Sequence, residues 1–342
     1  MNDAEYYRGK RILVTGAAGS IGSQLVRQLL SYEPAAIRVF DNNETGLFEL
    51  EEDLGTDAVR LLIGDVRDRD RLLMAMDGID IVFHASALKH VPLCEYNPFD
   101  AVKTNVLGTQ NVLDAALEAE VGKVINVSTD KAVKPANVMG ATKLLAERLT
   151  ISANYYSGRR KTVFSNVRFG NVLNSRGSVI PLFMKQIRDG GPVTVTEEEM
   201  VRYCMHIPDA VRLILMAGNL ARGREIFILK MPVVRIIDLA RVMIDELAPR
   251  YGHKPGHVQV KIIGKREGEK LFEELMTEEE SERAFENEEM YIIYPPAYSF
   301  ETYEFKAPTG FNPVEHPIHA SRDVKPINRG EVATLFRKME TG

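Results

Sequence analysis

The segment RILVTGAAGSIG, residues 11–22, joins a short apolar run to a glycine-rich turn. Its glycines are spaced as GxxGxxG and are Gly16, Gly19 and Gly22. Glycine at such a turn lets the backbone approach a pyrophosphate, and Ser20 and Ile21 then open a helix whose first amides and dipole favour negative charge. A glycine triplet alone is a weak signal, but a preceding strand and a following helix are the required context. The segment therefore predicts a dinucleotide-binding turn.

The chain from Arg11 to about Phe169 alternates short apolar, β-branched runs with longer helical stretches. The predicted strands cover residues 11–16, 37–41, 59–65, 81–86, 123–128 and 162–170. The predicted helices cover residues 20–31, 45–54, 67–76, 98–118 and 137–156. Strands that are apolar throughout and alternate with helices indicate a parallel sheet covered on both faces. Right-handed crossovers then give an α/β fold of the Rossmann-like, doubly wound type.

Acidic residues end the second and third predicted strands. Asp41 falls about 20 residues beyond the glycine motif, where a carboxylate accepts hydrogen bonds from the adenosine ribose. A negative charge there repels a 2′-phosphate, so the sequence favours NAD over NADP. Asp65 is placed to meet the adenine amine, although a helix N-cap before Arg67 is nearly as good an interpretation. Val66 and, after the fourth strand, Ala85 are also predicted to contact the cofactor.

Beyond Gly170 the alternation breaks down, and turn residues, prolines and scattered aromatic residues follow. Residues 171–205 and 231–342 are predicted to form a smaller C-terminal substrate-binding cap over the carboxyl edge of the sheet. The NAD-binding domain then comprises residues 1–170 and about 206–230, because residues 208–220 predict a helix that returns to it. Residues 277–289 are strongly acidic and predict a solvated helix or loop.

Polar and charged side chains follow the fifth predicted strand where it ends. Thr129, Asp130 and Lys131 lie there, and ligands of doubly wound sheets bind at this carboxyl edge. Met139 and Lys143 follow, four residues apart, so they share one face of the next helix. A charged pair in a turn is usually solvated, but its place at the end of a buried strand favours a catalytic role.

The segment STDKAVKPANVMGATKLLAE, residues 128–147, resembles the signature of the UDP-N-acetylglucosamine 4,6-dehydratases. These are extended short-chain dehydrogenases/reductases of bacterial polysaccharide biosynthesis. The similarity continues through HASALKHVPLCEYNP, TNVLGTQNV, RFGNVLNSRGSVIPLF, EEEMVRYCMHIPDAVRLI and REGEKLFEEL, and it covers roughly residues 10–295. It implies a lyase with tightly held NAD that converts UDP-N-acetylglucosamine to a UDP-4-keto-6-deoxy-N-acetylhexosamine.

The resemblance also implies chemical roles for the residues at the strand end. Hydride leaves C4 for NAD, the 4-ketone acidifies the C5 proton, the 6-hydroxyl leaves as water, and the hydride returns to C6. Lys131 is the predicted base at C5 and Asp130 the predicted acid at O6. These roles require burial to raise the pKa of Asp130 and to lower that of Lys131. Lys143 is expected to bond the nicotinamide ribose, and Thr129 the 4-hydroxyl of the sugar.

One residue departs from the superfamily pattern Tyr-x-x-x-Lys. Met139 stands where most members have the tyrosine that moves the proton of the sugar hydroxyl, and a thioether can neither ionise nor donate a proton. Either the protein only binds NAD, or another group moves the proton. The ionisable set of Asp130, Lys131 and Lys143 favours the second interpretation, and one branch of the dehydratases shows the same methionine.

A set of residues elsewhere is predicted to hold the nucleotide sugar. The predicted substrate contacts are Lys89, Asn171, Arg176, Ser178, Arg202, Arg266 and Glu269. Two guanidinium groups closing on a pyrophosphate would give fork-like hydrogen bonds, which is the role predicted for Arg202 and Arg266. Glu269 is a candidate partner for a ribose hydroxyl or for one of these arginines. Asn105 is expected to brace the active-site strand.

The composition argues against several kinds of partner. The 43 Lys and Arg residues are mixed among 48 Asp and Glu residues, giving a net charge of -5, which argues against nucleic acid and anionic membranes. The apolar runs are far shorter than the roughly 20 residues that cross a bilayer, and the polar N-terminus predicts no signal peptide. Cys94 and Cys204 have no metal-ligand spacing and suit a reducing cytoplasm. They and His84 and His90 are predicted to be structural, and no metal site is predicted.

Three functions compete at this point. A 4,6-dehydratase is favoured over a nucleotide-sugar epimerase, because simple 4-epimerisation needs no base at C5. A dehydratase that also inverts C5 remains open. In the family that the chain resembles, a methionine at the position of Met139 occurs both in members that invert C5 and in members that retain its configuration. A non-catalytic NAD sensor or scaffold is the alternative of another class. A homo-oligomer is expected, because this fold commonly pairs through helices such as residues 98–118.

Overall fold

A computed structural model of the chain describes residues 3–295, 306–315 and 317–341. The strands are β1 (Arg11–Thr15), β2 (Ala36–Asp41), β3 (Val59–Ile63), β4 (Ile81–His84), β5 (Lys123–Val127), β6 (Val163–Arg168), β7 (Asn171–Val172), β8 (Val193–Val195), β9 (Val201–Met205), β10 (Ile226–Leu229), β11 (Val233–Arg235), β12 (Val260–Ile262), β13 (Ala284–Glu286), β14 (Met290–Ile293) and β15 (Asn312–Pro313). The α-helices are α1 (Asp3–Tyr7), α2 (Ser20–Leu30), α3 (Glu44–Leu54), α4 (Arg69–Met76), α5 (Val91–Tyr96), α6 (Pro98–Ala101), α7 (Gly108–Glu118), α8 (Val138–Ala153), α9 (Val179–Arg188), α10 (Ile207–Leu220), α11 (Ile236–Leu247), α12 (Glu278–Ser281) and α13 (Arg329–Thr341).

Ten of these strands form one sheet, in the order β15-β13-β14-β10-β6-β5-β4-β1-β2-β3. The strands β1 to β6 and β10 pair in parallel, and β14, β13 and β15 continue the sheet in antiparallel fashion. The strand order reverses at β1, which lies between β2 and β4. In such sheets the ligand crevice lies at this switch point, outside the carboxyl ends of the strands. The predicted α/β, Rossmann-like doubly wound fold is confirmed.

Helices cover both faces of the parallel part of the sheet. Successive side chains of a strand point to opposite faces, and β1 shows this directly. Ile12 and Val14 pack in one buried cluster with residues of α2 and α10, whereas Leu13 packs in another with residues of α4 and α7. Burial on both faces explains why the strands are apolar throughout rather than alternating.

Most predicted elements lie within a few residues of the observed ones, but two predictions need correction. Residues 98–118 are not one α-helix, because a π-helical segment, Val102–Leu107, separates α6 from α7. A π turn leaves little trace in the apolar pattern and often marks a functional region. Within the acidic residues 277–289 only a four-residue helix forms, and the segment then joins the large sheet as β13.

The later part of the chain adds smaller layers. β7, β9 and β11 form a three-stranded sheet and β8 and β12 a two-stranded one, and α9, α11 and α13 contribute to a separate buried cluster. The strands β13, β14 and β15, which the sequence placed in the cap, extend the large sheet instead. The division into two domains otherwise stays a prediction, as does the cytoplasmic location. Among the helices of the described ranges, none is both long and apolar enough to cross a bilayer.

Candidate active site

The glycine-rich turn between β1 and α2 is built so closely that side chains do not fit. Gly16 has a φ of +67°, and a Cβ there would lie 2.7 Å from the backbone of Ala85. A Cβ on Gly22 would lie 2.1 Å from the carbonyl oxygen of Gly16. Gly19 occupies the N-cap position of α2 but has no side chain that could accept hydrogen bonds from the first helical turn, which begins with Ser20 and Ile21. The first amides of α2 are thus placed for an anion, as the sequence predicts.

Asp41 and Asp65 occupy the ends of β2 and of the strand beside it. The Asp41 carboxylate accepts hydrogen bonds from the backbone amides of Ala18 (3.0 Å) and Asn43 (3.0 Å), which ties it to the glycine turn. Asp65 accepts from the amide of Arg67 at 2.9 Å and forms a local turn.

Two observations concern the neighbours of these acidic residues. The N-cap of α4 is Asp68, so the alternative interpretation of Asp65 as the cap is wrong. Val66 is buried against Gly108, and Ala85 contacts Gly16. Contact of any of these residues with a cofactor stays a prediction.

His84 and the two cysteines of the sequence are structural, as expected, whereas His90 is exposed and its structural role stays a prediction. His84 is buried between the hydroxyls of Thr15 (2.8 Å) and Thr109 (3.1 Å), and burial, followed by the charge of Lys143, lowers its pKa to about 3. Cys94 and Cys204 are both free and buried. Burial raises the pKa of the Cys204 thiol to about 12, so it is not a nucleophile at neutral pH.

Met139 and Lys143 share α8 but have different surroundings. Met139 is buried in a small apolar cluster with Cys94 and Ala101. The Lys143 amine is buried and donates a 2.6 Å hydrogen bond to the carbonyl of Val127 at the end of β5. Burial lowers the pKa of Lys143 to about 8, against the charge of Glu147, which raises it. Lys143 therefore lies at the carboxyl edge of the sheet, while Met139 fills a hydrophobic space.

The turn after β5 holds a buried acid-base pair. Asp130 has no accessible surface, and its Oδ1 accepts from the Lys131 amine (2.9 Å) and from the Thr129 hydroxyl (3.0 Å). The Lys131 side chain keeps 21% of its surface exposed. The Asp130 Oδ2 atom is buried and has no hydrogen-bond partner among the described residues. The pair is thus largely shielded from water, as the catalytic interpretation requires, but only its lysine reaches accessible surface.

Two further residues contact the Lys131 amine. Asn171, at the start of β7, accepts from it at 3.1 Å, and the Glu273 carboxylate lies 3.5 Å away. Burial alone would lower the pKa of Lys131, but the charges of Asp130 and Glu273 outweigh it, and the pKa is raised. The prediction of a lowered lysine pKa is therefore wrong for this structure. The physical reason is the charge of Asp130, followed by that of Glu273, a second buried carboxylate that the sequence pattern does not reveal.

Arg202 is a structural residue rather than an open phosphate clamp. It is 5% exposed, and its guanidinium donates to the carbonyls of Val201 (2.9 Å), Leu271 (3.0 Å) and Lys270 (2.6 Å). The Glu269 carboxylate lies 3.8 Å from it, so the predicted pairing of Glu269 with one of the arginines is confirmed.

The second member of the predicted clamp is placed differently. Arg266 is exposed, and its backbone amide donates to Glu269 at 3.2 Å. The predicted closure of Arg202 on a pyrophosphate is wrong in this geometry, because its donors already serve backbone carbonyls.

The loop after β7 reaches back to the glycine turn. The backbone amide of Arg176 donates to the Ser20 hydroxyl (3.0 Å), and its guanidinium donates to the carbonyl of Ala18 (3.1 Å). Partial burial and then the nearby charge of Arg176 lower the pKa of Lys89, which places these two cations in one region. The Ser178 hydroxyl is buried and has no partner among the described residues. Arg176 therefore connects the predicted substrate loop to the predicted cofactor turn.

Asn105 braces a different element from the one expected. Its side-chain amide exchanges two hydrogen bonds with the backbone of Leu88, at 2.8 and 3.0 Å, and donates to the Thr142 hydroxyl. It thus fixes the loop after β4 and the helix α8, not the strand β5. The π-helical segment containing Asn105 gives the amide this position.

Comparisons with known proteins show the family of the chain. A family model described as "Polysaccharide biosynthesis protein" matches residues 12–295. An uncharacterized membrane protein of Methanocaldococcus jannaschii is 56% identical, over 98% of each chain. A UDP-N-acetylglucosamine 4,6-dehydratase (inverting) of Campylobacter jejuni is 42% identical, over 84% of each chain.

Solved structures show the same fold. The X-ray structure of Pen from Bacillus thuringiensis is 43% identical, with a TM-score of 0.88 over 97% of this chain and 98% of that one. DesIV, a dTDP-glucose 4,6-dehydratase of Streptomyces venezuelae solved with NAD bound, is 27% identical, with a TM-score of 0.68 over 76% of this chain and 86% of that one.

Proposed function

The chain belongs to the polysaccharide biosynthesis protein family of extended short-chain dehydrogenases/reductases, and from this premise we propose that it is a UDP-N-acetylglucosamine 4,6-dehydratase. The family and the named activities of its relatives make it a nucleotide-sugar dehydratase or epimerase. The choice of dehydration rests on one observation, the shielded Lys131–Asp130 pair at the carboxyl end of β5. A C4 epimerisation would have no use for such a pair.

NAD is the cofactor, and the glycine turn fits it. The absence of Cβ atoms at Gly16 and Gly22 lets the turn pack closely against the backbone of Ala85 and against itself, and the uncapped start of α2 suits a pyrophosphate. Asp41 would hold the adenosine ribose, and Lys143 the nicotinamide ribose. When bound, NAD would supply the hydride acceptor for oxidation at C4 of the sugar and the hydride donor for reduction at C6.

Lys131 is the group that transfers protons at the sugar. It keeps accessible surface while Asp130 is fully enclosed, so we assign both proton steps to the lysine amine and place the aspartate behind it. A proton that moves from Lys131 to Asp130 along their 2.9 Å hydrogen bond leaves the amine neutral. The neutral amine can remove the C5 proton and pass it to the departing 6-hydroxyl, so that the proton leaves in the water molecule.

The decisive experiment incubates the purified protein with UDP-N-acetylglucosamine carrying deuterium at C4. We expect a product that has lost one water and carries the deuterium at C6, detected by mass spectrometry and proton NMR. The same NMR spectrum gives the configuration at C5. An isomer of unchanged mass would identify an epimerase, and NAD binding without turnover would identify a sensor or scaffold.

The substitution Gly22→Ala tests the cofactor turn. The new Cβ would lie 2.1 Å from a backbone oxygen, so the turn must shift. Strain of about 1.4 kcal/mol in the bound state raises a dissociation constant tenfold. We therefore expect NAD to bind at least about tenfold more weakly. The control is Gly256→Ala, where nothing lies within 4 Å of the added atom. Equal NAD affinity in both variants, measured by calorimetry, would contradict the assignment.

A further inference from the structure

Glu273 is a buried carboxylate whose backbone and side chain are both held. Its amide donates to the hydroxyl of Ser321 at 3.0 Å, and its carbonyl accepts from the amide of Ser321 at 2.8 Å. The residue is 3% exposed, and its Oε1 lies 3.5 Å from the amine of Lys131. Its Oε2 is buried and has no hydrogen-bond partner among the described residues. The chain therefore holds a carboxylate with free acceptor capacity directly beside the proposed proton-transfer group.

This carboxylate comes from a different part of the chain than Asp130. Asp130 lies in the same turn as Lys131, whereas the backbone of Glu273 is hydrogen-bonded to Ser321 and its carboxylate lies 3.9 Å from the Nε of Arg202. A buried charge is strongly unfavourable unless it has partners of opposite charge. Burial raises the pKa of Glu273, and the charges of Lys131 and Arg202 act against that increase.

We propose that Glu273 is a positioning residue that holds the Lys131 amine in place for proton transfer, as the second of two carboxylates that share it. The inference rests on the proposed role of Lys131 in dehydration. Asp130 supplies the hydrogen bond along which a proton can move, and Glu273 fixes the amine from outside its own turn.

The charges around the Lys131 amine determine the direction in which the loss of the Glu273 charge shifts the lysine pKa. The charged and polar groups that face Lys131 and Glu273 are Asp130, Asn171, Arg202, Cys204 and Lys270. Burial lowers the pKa of Lys131, Asp130 and Glu273 raise it, and Arg202 lowers it. Removing the charge of Glu273 should therefore lower the lysine pKa, whether the lysine acts as a base or as an acid.

The first experiment measures the amine without relying on turnover. Intact protein is treated with acetic anhydride at a series of pH values, and mass spectrometry follows acetylation of Lys131. In Glu273→Gln we expect the midpoint of this profile to move to lower pH by at least about one unit, the lower end of the effect of an opposite charge at this distance. The matched control is Glu274→Gln, because Glu274 pairs with Lys134 and Lys270 instead.

The second experiment measures kcat/KM for UDP-N-acetylglucosamine against pH in the same variants. The limb that reports Lys131 should move to lower pH in Glu273→Gln and stay in place in Glu274→Gln. In Glu273→Asp, which keeps the charge, the limb should lie close to its position in the unmodified protein. A lower rate with unmoved midpoints in both experiments would overturn the inference, since a merely structural residue changes activity without changing the titration. Absence of turnover in the unmodified protein, together with a shifted acetylation midpoint, would overturn the proposed function and leave the positioning of Lys131 supported.

Discussion

Replacing Lys131 with methionine is expected to lower kcat/KM for UDP-N-acetylglucosamine by a factor of roughly 10²–10⁴, the usual contribution of a general acid-base group. The amine is the member of the pair with accessible surface, so the fully enclosed Asp130 cannot replace it at the sugar. The cofactor turn lies on another strand end, and NAD binding should therefore be kept. Steady-state kinetics and NAD titration of the same preparation measure both quantities.

Two further variants make the Lys131 result specific. Lys131→Arg keeps the positive charge beside Asp130 but cannot release its proton at accessible pH, so it should fold normally and be as inactive as the methionine variant. Lys134→Met removes a nearby lysine that pairs with Glu274 and Glu278 at the surface, and it should retain full activity. Activity in Lys131→Arg within tenfold of the unmodified protein would disprove the role.

Replacing Arg168 with methionine is expected to have the largest effect on stability. Arg168 is 1% exposed and bonds two carboxylates, those of Glu147 on α8 and Glu280 on α12, as well as the carbonyl of Leu275. Burial raises the pKa of Glu280, but Arg168 outweighs this and lowers it. Removing the arginine leaves two buried carboxylates without a cation, so the free energy of unfolding should fall by about 3–5 kcal/mol. Urea denaturation at neutral pH measures the change.

The pH dependence provides an internal check on the Arg168 result. Without the arginine, the folded state holds protons on the buried carboxylates more tightly than the unfolded chain does, so the variant should lose stability as the pH rises. The control is Arg212→Met, which breaks an ion pair with Glu289 in which both side chains are well exposed, and should change stability by about 1 kcal/mol or less. A loss in Arg168→Met no larger than in this control would contradict the proposed burial effect.

Local sequence signals predicted the fold and the cofactor turn well. The GxxGxxG spacing, the apolar strands and the helical stretches depend on residues close together in sequence. These features appear as β1 to β6 and as α2, α3, α4, α7, α8 and α10. The position of Asp130 and Lys131 at a strand end was also readable, because the carboxyl edge of a parallel sheet follows from the strand order alone.

The parts that could not be predicted depend on contacts between distant segments. Glu273 and Glu274 are adjacent acidic residues in LFEEL, and their pattern gives no sign that the first faces Lys131, 142 positions earlier, while the second faces the surface lysines. The predicted phosphate role of Arg202 depends on its closing together with Arg266, and local sequence does not show how two residues 64 positions apart are placed. In the structure, the guanidinium of Arg202 donates hydrogen bonds to the backbone carbonyls of residues 270–271 instead.

The contact of Arg176 with Ser20 and Ala18 has a consequence for engineering the specificity of this protein. A loop exchange that imports a new sugar preference also removes the hydrogen bonds that this loop gives to the cofactor turn. Coupling between the binding free energies of two ligands is reciprocal, so a sugar that favours the bonded loop conformation will also strengthen cofactor binding, and a poor sugar will not. Chimeras in this region should therefore be screened for retained dinucleotide before they are screened for a new product.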